Sequence, residues 1–332
     1  MRSPRRCDIA ALVDEEVGER NAGGRFVVDR GSMEAYVVHA LQLGGRDVRV
    51  VPFNPQITPT IDELRALKPR LVFNLTEWVG GDRRLDAAIA GVLEMMNLRY
   101  TGAGPDGMQL ARDKALAKSV VADLGIAVPA HAVVNGRRAS AQTLAFPLIV
   151  KPQFGDASEG IANGALVRSE SQLLKRVAAI RRRSHEALLC EEFVAGRDLF
   201  VALLGNRPEV MPPLELVIGR SAPGAPRFAT YSVKNDDRYR RKWRLHYRRA
   251  QLSANVHAAI QETSRRIFKA LKLRDYARID YRLTPENKVV FLEANPNPDL
   301  SRHTFGRDVC FAGVPYPKLI AGIVDAALSR RR

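Results

Sequence analysis

FLEANPNPDLS, residues 291–301, runs as an apolar strand, carries the carboxylate of Glu293 inside it, and stops at Asn295-Pro296. A carboxylate is seldom buried unless it is paired or holds a metal. Just upstream, YARIDYRL (276–283) reads as a second strand, and TPEN separates it from KVVFLEAN (288–295). A two-residue hairpin turn at Glu286-Asn287 would set Asp280 directly opposite Glu293, and Asn tolerates the positive φ such turns need. Facing carboxylates repel unless something positive lies between them. Asp280, Glu293 and the amide oxygen of Asn295 would offer all-oxygen ligands to a hard divalent cation such as Mg²⁺. The alternative is that the acids pair with Arg278, Arg282 or another cation.

Working outward, 332 residues suffice for two or three domains, and 46% apolar with 27% charged residues is the composition of a soluble globular protein. No stretch approaches the roughly 18 apolar residues of a membrane span. The apolar segment Ile9–Val13 is too short for a signal-peptide core. Cys7, Cys190 and Cys310 are widely spaced, which points to a reducing compartment, the cytoplasm, without disulfides or a zinc site. The net charge of +16 is spread along the chain. It reads either as arginine-rich solvated faces or as attraction to anionic ligands.

Residues 8–97 alternate strand-like and helix-like segments: strands at 8–13, 47–53 and 71–75, helices at 33–45 and 85–97, and a short helix opened by Thr60 as N-cap with Glu63 in the capping-box position. That order implies an α/β fold with a parallel sheet. No GxGxxG follows the first strand, which argues against a dinucleotide site there. Further on come helix 113–125, strand 146–152 ending in Lys151, a Gly-containing loop 153–161, a basic helix at 171–183 and strand 188–194. Lys151 beside a loop with Gly155, Ser158 and Gly160 suits phosphate binding, and Lys114 is a second cation at a helix start. Taken singly, each also reads as an ordinary solvated feature.

Their order carries more. The series DK, helix, VP, then IVKP with its Gly/Ser loop, then EEFV.GRD, then a lysine, then RID and LEANPNP resembles the ATP-grasp superfamily, and within it the D-alanine–D-alanine ligase family. The resemblance runs from about Asn74 to Leu319. It implies a Rossmann-like N-terminal domain (1–104) and two α+β subdomains (105–190 and 191–332) that clasp ATP. It implies an ATP- and Mg²⁺-dependent ligase that joins a carboxylate to an amine through an acyl phosphate, in cytoplasmic peptidoglycan synthesis. Two Mg²⁺ ions are expected, with Mn²⁺ as a substitute, and homodimers are common in that family.

By resemblance, Lys114, Lys151 and Ser158 contact ATP phosphates. Glu191, Phe193 and Val194 lie in the segment that meets adenine, Ile149 and Leu292 sandwich it, and Asp198 stands at the ribose position. Lys234 closes over the γ-phosphate, and Arg278 stabilises the acyl phosphate and the oxyanion. Asp280, Glu293 and Asn295 match the metal ligands.

The acceptor side departs from the family. The Glu-x-Val-Ser motif is replaced by DEEVGERNAGGRF, the His-Gly by LTEWVGGD, and the Gly after NPNP by Asp299. Asp299 would repel a substrate carboxylate unless it binds an amine. The alternatives are therefore a ligase of amino acids or peptides other than D-alanine, or a nucleotide-binding protein without ligase activity. The tract RYRRKWRLHYRR (238–249) reads as the end of a substrate loop followed by a strand with exposed cations, rather than as a nucleic-acid surface. The expected partners are small amino-acid or peptide substrates, with no membrane.

Overall fold

The computed structural model describes residues 7–80, 82, 85–134, 143–155, 165–182, 186–220, 236–301 and 304–330. The chain begins with β1 (Ile9–Asp14), the small hairpin β2 (Gly18–Arg20) and β3 (Phe26–Val28), α1 (Met33–Leu43), β4 (Val48–Phe53), α2 (Thr58–Leu67), β5 (Leu71–Asn74) and α3 (Asp86–Met95). β1 lies between β4 and β5, parallel to both. The alternation of β1 feeds two cores: Ile9 and Val13 pack with Val37 and Leu41 of α1, while Ala10 and Leu12 pack with Leu64 of α2 and Ile89 of α3.

α2 departs from expectation at its start. It begins at Thr58, with Pro59 in the first turn, and no side chain caps it. Proline's fixed φ suits that turn, so the helix opens before Thr60. The Thr60 hydroxyl instead bonds the Pro52 carbonyl at 3.0 Å and accepts the Asn54 N–H at 3.1 Å, and Glu63 pairs with Arg20 at 2.9 Å.

The next segment holds α4 (Pro105–Arg112), α5 (Lys114–Asp123), β6 (His131–Val134), β7 (Leu148–Pro152), β8 (Leu166–Val167), α6 (Glu170–Arg181) and β9 (Leu188–Glu192). Its antiparallel sheet has the order β6-β9-β7-β8. The rest comprises β10 (Arg197–Leu204), β11 (Glu209–Val210), β12 (Leu214–Ile218), α7 (Asp237–Trp243), β13 (Leu245–Arg249), α8 (Ala254–Ala270), β14 (Tyr276–Leu283), β15 (Val289–Asn295), α9 (Phe305–Phe311) and α10 (Tyr316–Ser329). Here the order is β13-β12-β10-β14-β15, with β11 on β10. Ala117 and Val121 of α5 share a core with Ile260 of α8 and with Ile279 and Phe291 of this sheet.

The β14–β15 hairpin corrects a second expectation. Three residues, Pro285 to Asn287, lie between Thr284 and Lys288, and Asn287 takes the left-handed φ of 63°. The register then shifts between Asp280 and Tyr281, skipping Leu292, and this bulge restores Asp280 opposite Glu293. Tyr100 and Gly102 are tied to the far end of the chain: Arg330 donates to both carbonyls, at 2.7 and 3.2 Å, and to Asp275 at 2.7 Å. Buried Asp275 also accepts the Gly102 N–H at 2.8 Å and the Asn206 amide at 3.0 Å.

Candidate functional site

Where the two antiparallel sheets meet, two lysines enclose one carboxylate. Ile149 and Lys151 alternate along β7 onto one face, and β9 sets Glu191 beside Ile149. The Lys151 ammonium bonds Glu191 at 2.7 Å. From α5, Lys118 reaches the other Glu191 oxygen at 3.1 Å and the Leu292 carbonyl at 2.6 Å. Lys118 is 0% exposed. Burial lowers its pKa to about 8 against the pull of Glu191. Burial alone would raise Glu191, but the two ammonium groups hold it down at about 2.

Lys118 escaped the sequence reading, which took Lys114 from the same helix. The available signal was its spacing: Lys118 lies three residues before Val121 and next to Ala117, on the face that α5 buries. Lys114 points elsewhere, donating to the Gly155 carbonyl. With Glu293 and Asn295 it lines a cavity of about 20 Å³, room for roughly one water.

The second group is a row on the site face of the large sheet. Phe200 of β10, Asp280 of β14 and Glu293 of β15 are cross-strand partners, and so are Ala202, Arg278 and Asn295 in the next row. Arg278 holds Asp280 with both arms, at 2.7 and 3.1 Å, and lies 5.6 Å over the Phe200 ring. Burial opposes the charge of Arg278, yet Asp280 raises its pKa above the ordinary arginine value, with Asp308 and Glu293 adding. Lys151 also feels the charges of Glu293 and Asp280, so the two groups adjoin.

Two carboxylates and an amide oxygen on one sheet face form a donor set that suits a hard cation, although Asp280 is already engaged by Arg278. Among the described residues no group of three or more His, Cys, Asp or Glu is disposed to hold a metal ion. Asp198 pairs with Arg282 at 2.9 Å, and Arg282 lies 5.6 Å over Phe193. Val194 follows, half-buried. Ser158 and Lys234 lie outside the described residues.

Behind the row, Asn297 accepts the Ala103 N–H at 2.9 Å. Gly102, at φ +90°, leaves room for that amide, since a Cβ there would land on it. Gly102→Ala should therefore cost about 1–3 kcal/mol and displace Asn297; a urea melt that matches the wild type would show that the turn tolerates a side chain.

The profile of the family described as D-ala D-ala ligase C-terminus matches residues 120–325. A protein of Sinorhizobium fredii, "Uncharacterized protein y4sG", is 31% identical over 91% of this chain and 89% of its own length. The D-alanine–D-alanine ligase of Bordetella petrii is 30% identical over 73% of this chain and 72% of its own. Among solved structures, the D-alanine–D-alanine ligase from Bacillus anthracis superposes with a TM-score of 0.73 at 17% identity, covering 97% of both chains. No single described helix is long and apolar enough to cross a membrane.

Proposed function

The chain belongs to the D-alanine–D-alanine ligase family and has the ATP-grasp fold, and on that premise we propose that it is an ATP-dependent ligase joining a carboxylate to an amine. The observation that carries this reading is the convergence of Lys118, Lys151 and Glu191 beside the row Arg278, Asp280, Glu293 and Asn295. Two buried ammonium groups supply the positive field that a triphosphate requires, in a setting that excludes water.

Lys118 and Lys151 meet the nucleotide phosphates, with Lys114 at the mouth, and the family resemblance adds Ser158 and Lys234 to the phosphate contacts. Glu191, Phe193, Val194, Ile149 and Leu292 surround the base, and Asp198 the ribose. The substrate carboxylate attacks the γ-phosphorus, ADP leaves, and an acyl phosphate results. The amine nitrogen then attacks the acyl carbon, phosphate departs and the nitrogen gives up its proton. Arg278, oriented by Asp280, stabilises the oxyanion. Asp280, Glu293 and Asn295 would hold Mg²⁺, which when bound neutralises triphosphate charge.

The test is ADP release from Mg·ATP against a panel of D- and L-amino acids and short peptides, with the products weighed by mass spectrometry. A coupled product supports the reading; failure to bind ATP at all overturns it. A pH dependence follows as well. The Lys118 pKa lies below its ordinary value, so its charge is complete below about 8 and lost above. ATP affinity should weaken as the pH rises through 8, and Lys118→Met should weaken it roughly tenfold or more at pH 7 while flattening that profile. A flat wild-type profile between pH 7 and 9 would remove Lys118 from the phosphate site.

A further inference from the structure

A cavity of about 460 Å³ lies at the C-terminal end of β1, lined by Asp14, Glu16, Glu34, Glu77, Asp299 and Trp78 among others. That volume falls within the roughly 300–1,000 Å³ of small-molecule sites. Its position also points to a ligand. β4 lies on one side of β1 and β5 on the other, so the winding of the chain reverses at the end of β1. Open α/β sheets bind ligands at such switch points. Asp299 of its lining lies four residues beyond Asn295 of the reaction row on the same segment.

Five carboxylates gather here in a chain whose net charge is +16, so the concentration runs against the overall balance. No lysine, arginine or histidine is among the described lining residues. Asp14 accepts the Glu77 and Trp78 N–H groups at 3.0 and 3.4 Å, which fixes its carboxylate at the base. Burial pushes its pKa up to about 6, with Glu16 and Glu34 adding to the rise. An aromatic wall among carboxylates is the composition that recognises an organic cation. A zwitterion with one ammonium and one carboxylate answers this field poorly, because its own carboxylate meets the same acids.

We propose that this cavity selects a compound carrying two ammonium groups, called a dication here whether or not it also carries a carboxylate, as one of the two substrates to be joined: a basic amino acid, whose second ammonium offsets its carboxylate, or a diamine. The identification as a substrate rests on the ligase reading; the binding of the dication does not.

The experiment is isothermal titration of the full chain with lysine, ornithine, cadaverine, D-alanine and L-alanine, run beside ADP release with the same compounds. A dication should bind at least tenfold more tightly than either alanine. That preference should fall about tenfold in a Glu16→Gln, Glu34→Gln double variant, whose first site is exposed and second half-buried, and whose folding is checked by circular dichroism. Tight lysine with weak cadaverine supports an amino acid as the ligand, and the reverse supports a diamine. Alanine binding equal to or tighter than every dication overturns the proposal, as does an unchanged preference in a folded double variant. ADP release with D-alanine and no dication binding sinks the proposal but leaves the ligase reading standing. Dication binding without ADP release from any pair sinks the ligase reading and leaves the cavity assignment.

Discussion

Glu293→Gln should abolish ADP release from Mg·ATP, by about 10³-fold or more, while the protein stays folded. The amide keeps the shape of a half-buried side chain on the sheet face opposite Asp280. It removes one of the two carboxylates of the proposed cation site, and one of the negative charges felt by Lys151. Asp280→Asn is a less clean test, since it also breaks the two-armed pair with Arg278. The measurement is ADP release under saturating Mg·ATP, with circular dichroism on the same sample. A folded variant that turns over within tenfold of the wild type would sink the metal assignment.

Asp275→Ala should cost about 3–5 kcal/mol of stability. Asp275 is fully buried and serves three donors: the Gly102 N–H, the Asn206 amide and the Arg330 guanidinium. Truncation takes an acceptor from all three at once and leaves Arg330, whose side chain is only 17% exposed, with carbonyl partners but without its counter-charge. Thermal melting should drop by at least about 6 °C. Asp275→Asn, which keeps an acceptor and loses the ion pair, should lose less. A shift below about 2 °C for the alanine variant would mean that water replaces the carboxylate without penalty.

Much of this was legible in the sequence, and for identifiable reasons. Period-two alternation located β14 and β15, and the parallel sheet followed from strands that alternate with helices at 8–97. The opposition of Asp280 and Glu293 was anticipated through an incorrect turn. The loop holds one residue more, and the bulge at Leu292 cancels the error. No periodicity announces a bulge, because it depends on how the strand packs. Pro59 hid the start of α2 in the same way, a local preference overriding a good capping-box pattern.

Lys118 was missed because a lysine on a helix is normally solvated; only the meeting of α5 with β9 makes it a buried partner of Glu191. The acidic cavity was visible only in fragments. Asp299 stood out by itself and Glu77 only as part of LTEWVGGD, but no spacing rule joins residue 14 to residue 299.

The parallel sheet near the start of the chain has a temporal consequence. Ile9, Val13 and Phe73 on one of its faces pack against Leu319, Ile323 and Val324 of α10. During synthesis, residues 316–329 leave the ribosome about 240 residues after β5, roughly 10–50 s later at 5–20 residues per second. Throughout that interval α1 covers part of this apolar sheet face and the part that α10 will cover stays open. The parallel-sheet unit is therefore completed only when α10 emerges, and through this stretch of translation its open face is available to aggregation and to chaperones.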